Sequence, residues 1–271
     1  MSSKTSFHLP LSLVLITRDA EAELTACLVS APFVDEIVIV DSGSADNTRK
    51  IAADSGARVI EQAWLGFGRQ RNFAVGAARN DWVLCLDADE RVTPQLADAI
   101  TSLWRRGATP QAAAYALCRR NRFLGRWLRY GEGYPDWVIR LFDRRRACWS
   151  DDDVHEKVLL DEGAMVARLD GDLLHESAES IDAYIVKQNC YTSIQAERAF
   201  AQGKRVSAWR LFAAPLARFF RFYIVKGGFL DGAAGFAHIA IGAWTSFLKY
   251  AKLYALQRND HHTRDITDQT S

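Results

Sequence analysis

Asp81-Trp82-Val83-Leu84-Cys85-Leu86-Asp87-Ala88-Asp89-Glu90 is the stretch from which the fold can be read. Trp82 to Leu86 form a continuous apolar run, the pattern of a strand buried on both faces of a parallel sheet. The run opens onto three acids, Asp87, Asp89 and Glu90. In open α/β sheets ligands bind outside the carboxyl ends of the strands. Clustered carboxylates repel one another unless a cation lies between them. Hard divalent ions such as Mg2+ and Mn2+ take oxygen ligands and share them with substrate phosphates. Asp-x-Asp here therefore predicts a metal-diphosphate site. The competing assignment is an acidic first turn of the next helix, capped by Thr93.

Working outward, three more β-rich runs precede this one: Leu11–Thr17, Glu36–Val40 and Ala57–Ile60. Helical patterns separate them, through Leu24 and Leu28, through Ile51 and Ala53, and from about Arg69 to Ala78. Strands alternating with helices at this spacing predict an α/β fold with right-handed β-α-β crossovers and a mostly parallel sheet. Their carboxyl ends share one edge, so Asp19, Asp41 and the Asp87–Glu90 cluster converge. Carboxylates there can accept hydrogen bonds from a ribose diol or a base N–H. Asp46 reads better as a turn or cap residue, and Ser44 is an alternative cap. Arg69 and Arg71 open a helix on the same edge, where guanidinium forks suit a diphosphate. The alternative for both is a solvated basic face.

The chain has 271 residues, 49% of them hydrophobic, and a formal net charge of +1. That balance predicts a folded chain with a substantial core and gives no argument for nucleic acid as a partner. Five scattered cysteines without a Cys-x-x-Cys pair argue against a disulfide framework or a structural zinc site. A reducing compartment follows as the expectation. Met1–Pro10 is polar and lacks the apolar core of a signal peptide, which points to the cytoplasm.

Leu15–Ala20, Ile39–Thr48 and Leu86–Glu90 resemble the inverting glycosyltransferases of family 2, which have the nucleotide-diphospho-sugar (GT-A) fold. Gly66–Asn72, Asn121–Trp127, Tyr134–Asp136, Arg140–Phe142, Val154–Val158, Gly171–His175 and Phe229–Gly232 are further similar to lipopolysaccharide-core β-glucosyltransferases. The likeness covers nearly the whole chain. One departure is Arg18-Asp19, where that family more often has Lys-Asn-Glu; Asp19 keeps a carboxylate on a shorter arm. The resemblance implies a nucleotide-sugar set of Thr17, Asp19, Asp41, Arg71 and Asp87. Within it, Asp41 contacts the base and Asp87 lies near the ribose, while Asp89 holds Mg2+ or Mn2+. It also implies a UDP-sugar donor, glucose first among the sugars, and a lipopolysaccharide inner-core acceptor.

An inverting transfer needs one general base for the acceptor hydroxyl. The family places it in an acidic motif after the metal-binding strand, here His155-Glu156, so Glu156 is the expected base. Asp136 is the second candidate, or an acceptor-orienting group. Asp151–Asp153 read as a solvated acidic turn. His175, after Leu173-Leu174, is either a second metal ligand or a structural hydrogen-bonder. Arg119 to Tyr130 alternates arginines with Phe123, Trp127 and Tyr130, which suits an anionic saccharide or, alternatively, a basic surface loop.

The expected organisation is a catalytic domain over 1–180 and a helical region over 181–271. Between Arg198 and Arg258 ten basic residues interleave with aromatics, and Asp231 is the lone acid. Such helices lie in a membrane interface and are drawn to anionic lipid. Gly232–Leu248 carries no formal charge but is at the short limit for a bilayer span. The expectation is a peripheral protein on the inner face of the cell membrane. The readings kept beside it are transfer to a polyprenyl phosphate, and a non-catalytic nucleotide-binding module whose tail serves as anchor, helical subdomain or dimer interface.

Overall fold

A computed structural model describes residues 8–105, 108–151, 156–176 and 180–269, with side-chain surroundings through Asn259. His155 and its acidic neighbours Asp152 and Asp153 lie outside the described residues. By contacts the chain divides into two units, Met1–Asn121 with Asp136–Glu176, and Arg122–Pro135 with Ser177–Ser271. The division expected near residue 180 is therefore accompanied by an excursion, 122–135, that groups with the C-terminal helices.

In the first unit the chain runs β1 (Leu9–Thr17), α1 (Leu24–Val29), β2 (Val34–Asp41), α2 (Thr48–Asp54), β3 (Arg58–Glu61), α3 (Phe67–Ala77) and β4 (Trp82–Cys85). It continues through β5 (Glu90–Val92), α4 (Pro94–Ser102) and β6 (Ala114–Phe123). After β7 (Arg126–Trp127) of the second unit come β8 (Asp136–Asp143), β9 (Ala147–Trp149), β10 (Val158–Leu160) and β11 (Val166–His175). The main sheet has the order β3-β2-β1-β4-β8-β6-β11-β5, while β9 and β10 form a separate hairpin. The first four strands are parallel, β8 is antiparallel to β4 and β6, and β11 runs parallel to β6. This mixed α/β architecture, with its parallel half β3-β2-β1-β4, is the fold class expected from the sequence.

The period of two along each strand builds a core on both faces. Leu11, Leu13 and Leu15 of β1, with Leu84 of β4 and Leu86 just after it, face Leu24, Leu96 and Ile100. Val14, Val83 and Cys85 face the opposite way, toward Ala74, Val75, Phe142 and Trp149. Helices on both sides explain why β1 and β4 are apolar at nearly every position rather than alternating. Thr93 caps α4 by accepting from the Leu96 N–H, with Pro94 at the first helical position. The acids before it are not that helix's first turn, because Glu90 opens β5. α3 begins at Phe67, two residues before the expected Arg69.

The second unit holds α5 (Ile181–Ala201), α6 (Ala208–Phe220), a π turn over Arg221–Val225, a short 3-10 turn over Gly228–Asp231, and α7 (Gly232–Gln269). Asp231 is 1% exposed. Its carboxylate accepts from the Arg129 and Tyr130 N–H groups at 2.8 and 2.9 Å, and Arg126 lies 3.4 Å away. This one buried acid ties the 122–135 excursion to the helices. Glu132 pairs with Arg218 of α6 in the same way. Among the described residues no single helix is long and apolar enough to cross a membrane; Ala208–Val225 and Gly228–Asn259 reach that composition only as a pair bent by 73°.

Candidate active site

The expected convergence at the strand ends is present in the first unit. β1 ends at Thr17 beside Asp41 of β2, and β4 ends one residue before Leu86-Asp87. Asp41 is fully buried and its carboxylate is saturated by its own neighbourhood. Oδ1 accepts from the N–H groups of Gly43 and Ser44, and Oδ2 accepts from the hydroxyls of Thr17 and Ser44. Four donors fill a carboxylate's usual acceptor sites. Gly43 makes the turn possible with φ +87°. Thr17 thus orients Asp41. Asp19 adopts φ +48°, and its carboxylate accepts from the Ala45 N–H at 2.7 Å while its own N–H donates to Ser44. Asp46 accepts from the N–H groups of Thr48 and Glu21, the turn role read from the sequence.

The centre of the site is a lattice of arginines and acids. Arg71 from α3 is buried, whereas Arg69 on the same helix is exposed, so the solvated-face alternative holds for Arg69 alone. Arg71 Nη2 donates to Asp87 Oδ1 at 2.6 Å, and its Nε donates to Glu156 Oε1 at 3.3 Å. Arg140 from β8 donates to Asp87 Oδ2 at 2.6 Å and to Glu90 Oε1 at 2.8 Å. Trp149 of β9 lies under both guanidiniums, 4.7 Å from that of Arg71 and 5.8 Å from that of Arg140. Burial alone would raise the Asp87 carboxyl, but the Arg140 and Arg71 charges outweigh it and hold it well below the usual carboxylate range. Burial likewise works against the Arg140 charge, and Asp87 and Glu90 overcome it and push that group upward.

Glu90 is fully buried, accepts from the Asp87 N–H at 3.0 Å and pairs with Arg140. Of the three acids after β4 it braces the loop rather than facing solvent. Asp136, the second candidate base, is held by Arg119, whose Nη2 is 2.8 Å from Oδ2. Arg120 faces Asp172 at 3.4 Å. The arginines at 119, 120 and 126 are thus engaged with acids, which a reading of the segment as a basic loop does not anticipate.

Asp89 meets His175 of β11, with Nε2 3.2 Å from Oδ2. The other ring nitrogen, Nδ1, lies 2.7 Å from Asn121 Oδ1. With that amide oxygen as acceptor, Nδ1 carries the hydrogen, and Nε2 is the nitrogen left facing the carboxylate. A proton on Nε2 or a metal ion between the two groups would complete the contact. A carboxylate with an oriented imidazole behind it is a fitting donor pair for Mg2+ or Mn2+, since such ions fill their remaining positions from diphosphate and water. Among the described residues no group of three or more His, Cys, Asp or Glu side chains is placed to hold a metal by itself.

Arg140 and Trp149 are site residues that the sequence reading did not assign, and within the Arg119–Tyr130 segment it did not single out Arg119 or Asn121. Arg140 carried a signal: a charge inside the apolar run Trp137–Phe142 must find a buried partner.

A parallel sheet whose acid-bearing strand ends meet arginines and an Asp-His pair defines a GT-A-type glycosyltransferase. The glycosyl transferase family 2 profile matches residues 12–156, and the chain belongs to that family. It is 32% identical over 257 residues to the lipopolysaccharide core biosynthesis glycosyltransferase LpsC of Rhizobium meliloti, covering 91% of this chain and 92% of that one. An uncharacterized glycosyltransferase of Rickettsia typhi is 30% identical over 254 residues, covering 91% and 87% of the two chains. Among solved structures, Staphylococcus aureus TarS in complex with UDP-GlcNAc is similar at a TM-score of 0.46 and 14% identity, over 93% of this chain and 92% of that one. Glucosyl-3-phosphoglycerate synthase of Mycobacterium tuberculosis, in complex with Mn2+ and UDP, is similar at a TM-score of 0.34 and 25% identity, over 41% of this chain and 44% of that one.

Proposed function

We propose that this enzyme is an inverting, divalent-metal-assisted hexosyltransferase that adds a hexose, glucose from UDP-glucose first among candidates, to an inner-core heptose of lipopolysaccharide. The observation that carries the reading is Arg71, whose one guanidinium holds both the donor-side acid Asp87 and the candidate base Glu156. The LpsC relationship supports the acceptor class.

Asp89 and His175 would hold the metal, which on binding supplies Lewis-acid stabilisation of the departing diphosphate. Arg71, a buried arginine that bridges the partly exposed carboxylates of Asp87 and Glu156, is placed to exchange carboxylate for diphosphate when donor arrives. Releasing Glu156 in that exchange frees its carboxylate to take the acceptor hydroxyl proton. Asp136, clamped by Arg119, orients the acceptor. A base contact by Asp41 requires one of its four present donors to move; otherwise it shapes the nucleotide loop. The acceptor lies in the membrane, and the proposed location is the inner face of the cell membrane, reached through the basic and aromatic second unit.

Transfer assayed with a panel of sugar nucleotides, metal titration and truncated lipopolysaccharide acceptors tests this directly. Glu156→Gln should lower kcat by about 10²–10⁴-fold. Near-normal turnover in that variant would favour a polyprenyl phosphate acceptor, which is already anionic and needs no base. Absence of donor turnover with any acceptor would favour a non-catalytic nucleotide-binding module.

A further inference from the structure

Trp149 is 4% exposed, and its ring is a common floor for the guanidiniums of Arg71 and Arg140, at 4.7 and 5.8 Å. Those two arginines take the two oxygens of one carboxylate, Arg71 on Oδ1 of Asp87 and Arg140 on Oδ2. One acid and one ring together therefore set the spacing of both charges. The ring is itself held. The Asn72 side chain, next to Arg71 in sequence, exchanges hydrogen bonds with the Trp149 backbone at 2.8 and 2.9 Å. Phe142, fully buried, packs edge-on against the indole with ring centroids 6.2 Å apart. Across the β9–β10 hairpin, Trp149 is opposite Val158. Ser150 and Lys157 exchange hydrogen bonds at 2.8 and 3.1 Å, which fixes the backbone beside Glu156.

The hydrogen bonds of Arg71 and its ring contact differ in what donor binding does to them. Arg71 uses Nη2 on Asp87 and Nε on Glu156. Phosphate oxygens arriving at the site compete for the same N–H groups. An aromatic face attracts the cation without being an oxygen acceptor, so phosphate does not displace it. An arginine that releases its carboxylates with nothing under it regains rotamer freedom, and ligand binding must remove that freedom again.

We propose that Trp149 is a positioning residue for donor binding: its ring holds the Arg71 guanidinium in place while that group exchanges the carboxylates of Asp87 and Glu156 for the donor diphosphate. This rests on the reading of Arg71 as the diphosphate ligand given under the proposed function. Trp149 acts through Arg71, so its effect on nucleotide affinity should vanish when Arg71 is gone.

The test is a double-mutant cycle on the full chain, read as the affinity for UDP in the presence of Mn2+ by titration calorimetry. The variants are Trp149→Leu, Trp149→Phe, Arg71→Gln and each Trp149 substitution combined with Arg71→Gln, with circular dichroism to check folding. Trp149→Leu should weaken UDP binding about 10- to 30-fold, the effect of losing a desolvated cation–π contact. Trp149→Phe, which keeps a smaller face, should weaken it about threefold. In the Arg71→Gln background neither substitution should have a measurable further effect, because the coupling between contacting residues is then absent. A purely structural role would lower affinity equally in both backgrounds, and that result would overturn the proposal. So would a Trp149→Phe loss as large as that of Trp149→Leu, since volume and not the aromatic face would then be the cause. If wild type bound no UDP, or Arg71→Gln bound it as wild type does, the donor reading itself would fail and the proposal with it. If Arg71→Gln weakened binding and Trp149→Leu did not, only the role of Trp149 would fail. Should Trp149→Leu not fold, Trp149→Phe decides in the same cycle: a loss confined to the wild-type background supports the proposal, and no loss or an equal loss in both overturns it.

Discussion

The imidazole Nε2 of His175 lies 3.2 Å from the Asp89 carboxylate, with Asn121 fixing the far side of the ring. Residues on β11 and in the loop after β4 are brought to this contact by the antiparallel pairing of His175 with Glu90.

Metal affinity should therefore depend on His175 as well as Asp89. Asp89→Ala should abolish transfer while leaving the thermal transition near wild type. His175→Ala should raise the Mn2+ concentration for half-maximal activity, and Asn121→Ala should do so by about 10–100-fold, the usual effect of removing a ligand's supporting partner. A metal titration of activity checks all three, and wild-type turnover in Asp89→Ala would refute the metal role.

Arg140 is expected to matter for stability more than for substrate contact. It is 5% exposed and is shared by Asp87 and by Glu90, which is fully buried. Removing one partner of a buried ion pair costs about 3–5 kcal/mol. Arg140→Leu should lose that order of stability in urea unfolding, and Arg140→Lys should lose less, because it keeps the charge without the fork.

Acid should act through the same lattice. Arg140 and Arg71 hold Asp87 below its unfolded value against the opposing effect of burial. A depressed carboxyl stabilises above its unfolded pKa of about 4, and that contribution is lost as pH falls toward the lower folded value. Wild type should resist acid unfolding to below pH 4, and Arg140→Leu should move the acid midpoint upward by a measurable fraction of a pH unit.

At the alkaline end the thiols carry a prediction. Burial pushes the Cys85 thiol up to about 11, against the pull of Arg71. A raised thiol stabilises fully below its unfolded pKa of about 8.5, and the contribution is lost as pH rises through the folded value. Unfolding free energy should fall between about pH 9 and 11, less steeply in Cys85→Ala. At pH 8 the exposed Cys148 and Cys190 should react with a thiol reagent, and the buried Cys27, Cys85 and Cys118 only after unfolding.

Gly68 marks a close approach. A Cβ there would collide with the backbone carbonyl of Ser150. Asn72, one turn along α3, exchanges hydrogen bonds with the Trp149 backbone at 2.8 and 2.9 Å, so the helix is clamped to the strand under Arg71. Gly68→Ala should lower the melting temperature by several degrees, about 1–3 kcal/mol of strain. It should also lower kcat by displacing Arg71, which a transfer assay on the folded fraction would show.

The apolar runs at residues 11–17, 36–40 and 82–86, and the helices between them, were sufficient to specify a parallel sheet with an acid-bearing edge. The reason is local. Period, turn residues and chain order constrain β-α-β units strongly, and every strand of such a unit points its carboxyl end the same way. The placing of Asp41, Asp87 and Asp89 on one edge follows from that alone. Pairings between distant segments were not legible. Nothing in the spacing of Arg71, Arg140 and Glu156 reveals that both arginines meet Asp87 and that Arg71 also meets Glu156, because sheet order β4-β8-β6-β11 is set by packing across the whole chain. Tertiary structure alone decided that Asp41 is saturated by its own loop, that Glu90 braces rather than binds, and that His175 turns its ring on Asp89. Burial makes these choices: a charge removed from water must find its partner wherever the fold has brought one within reach.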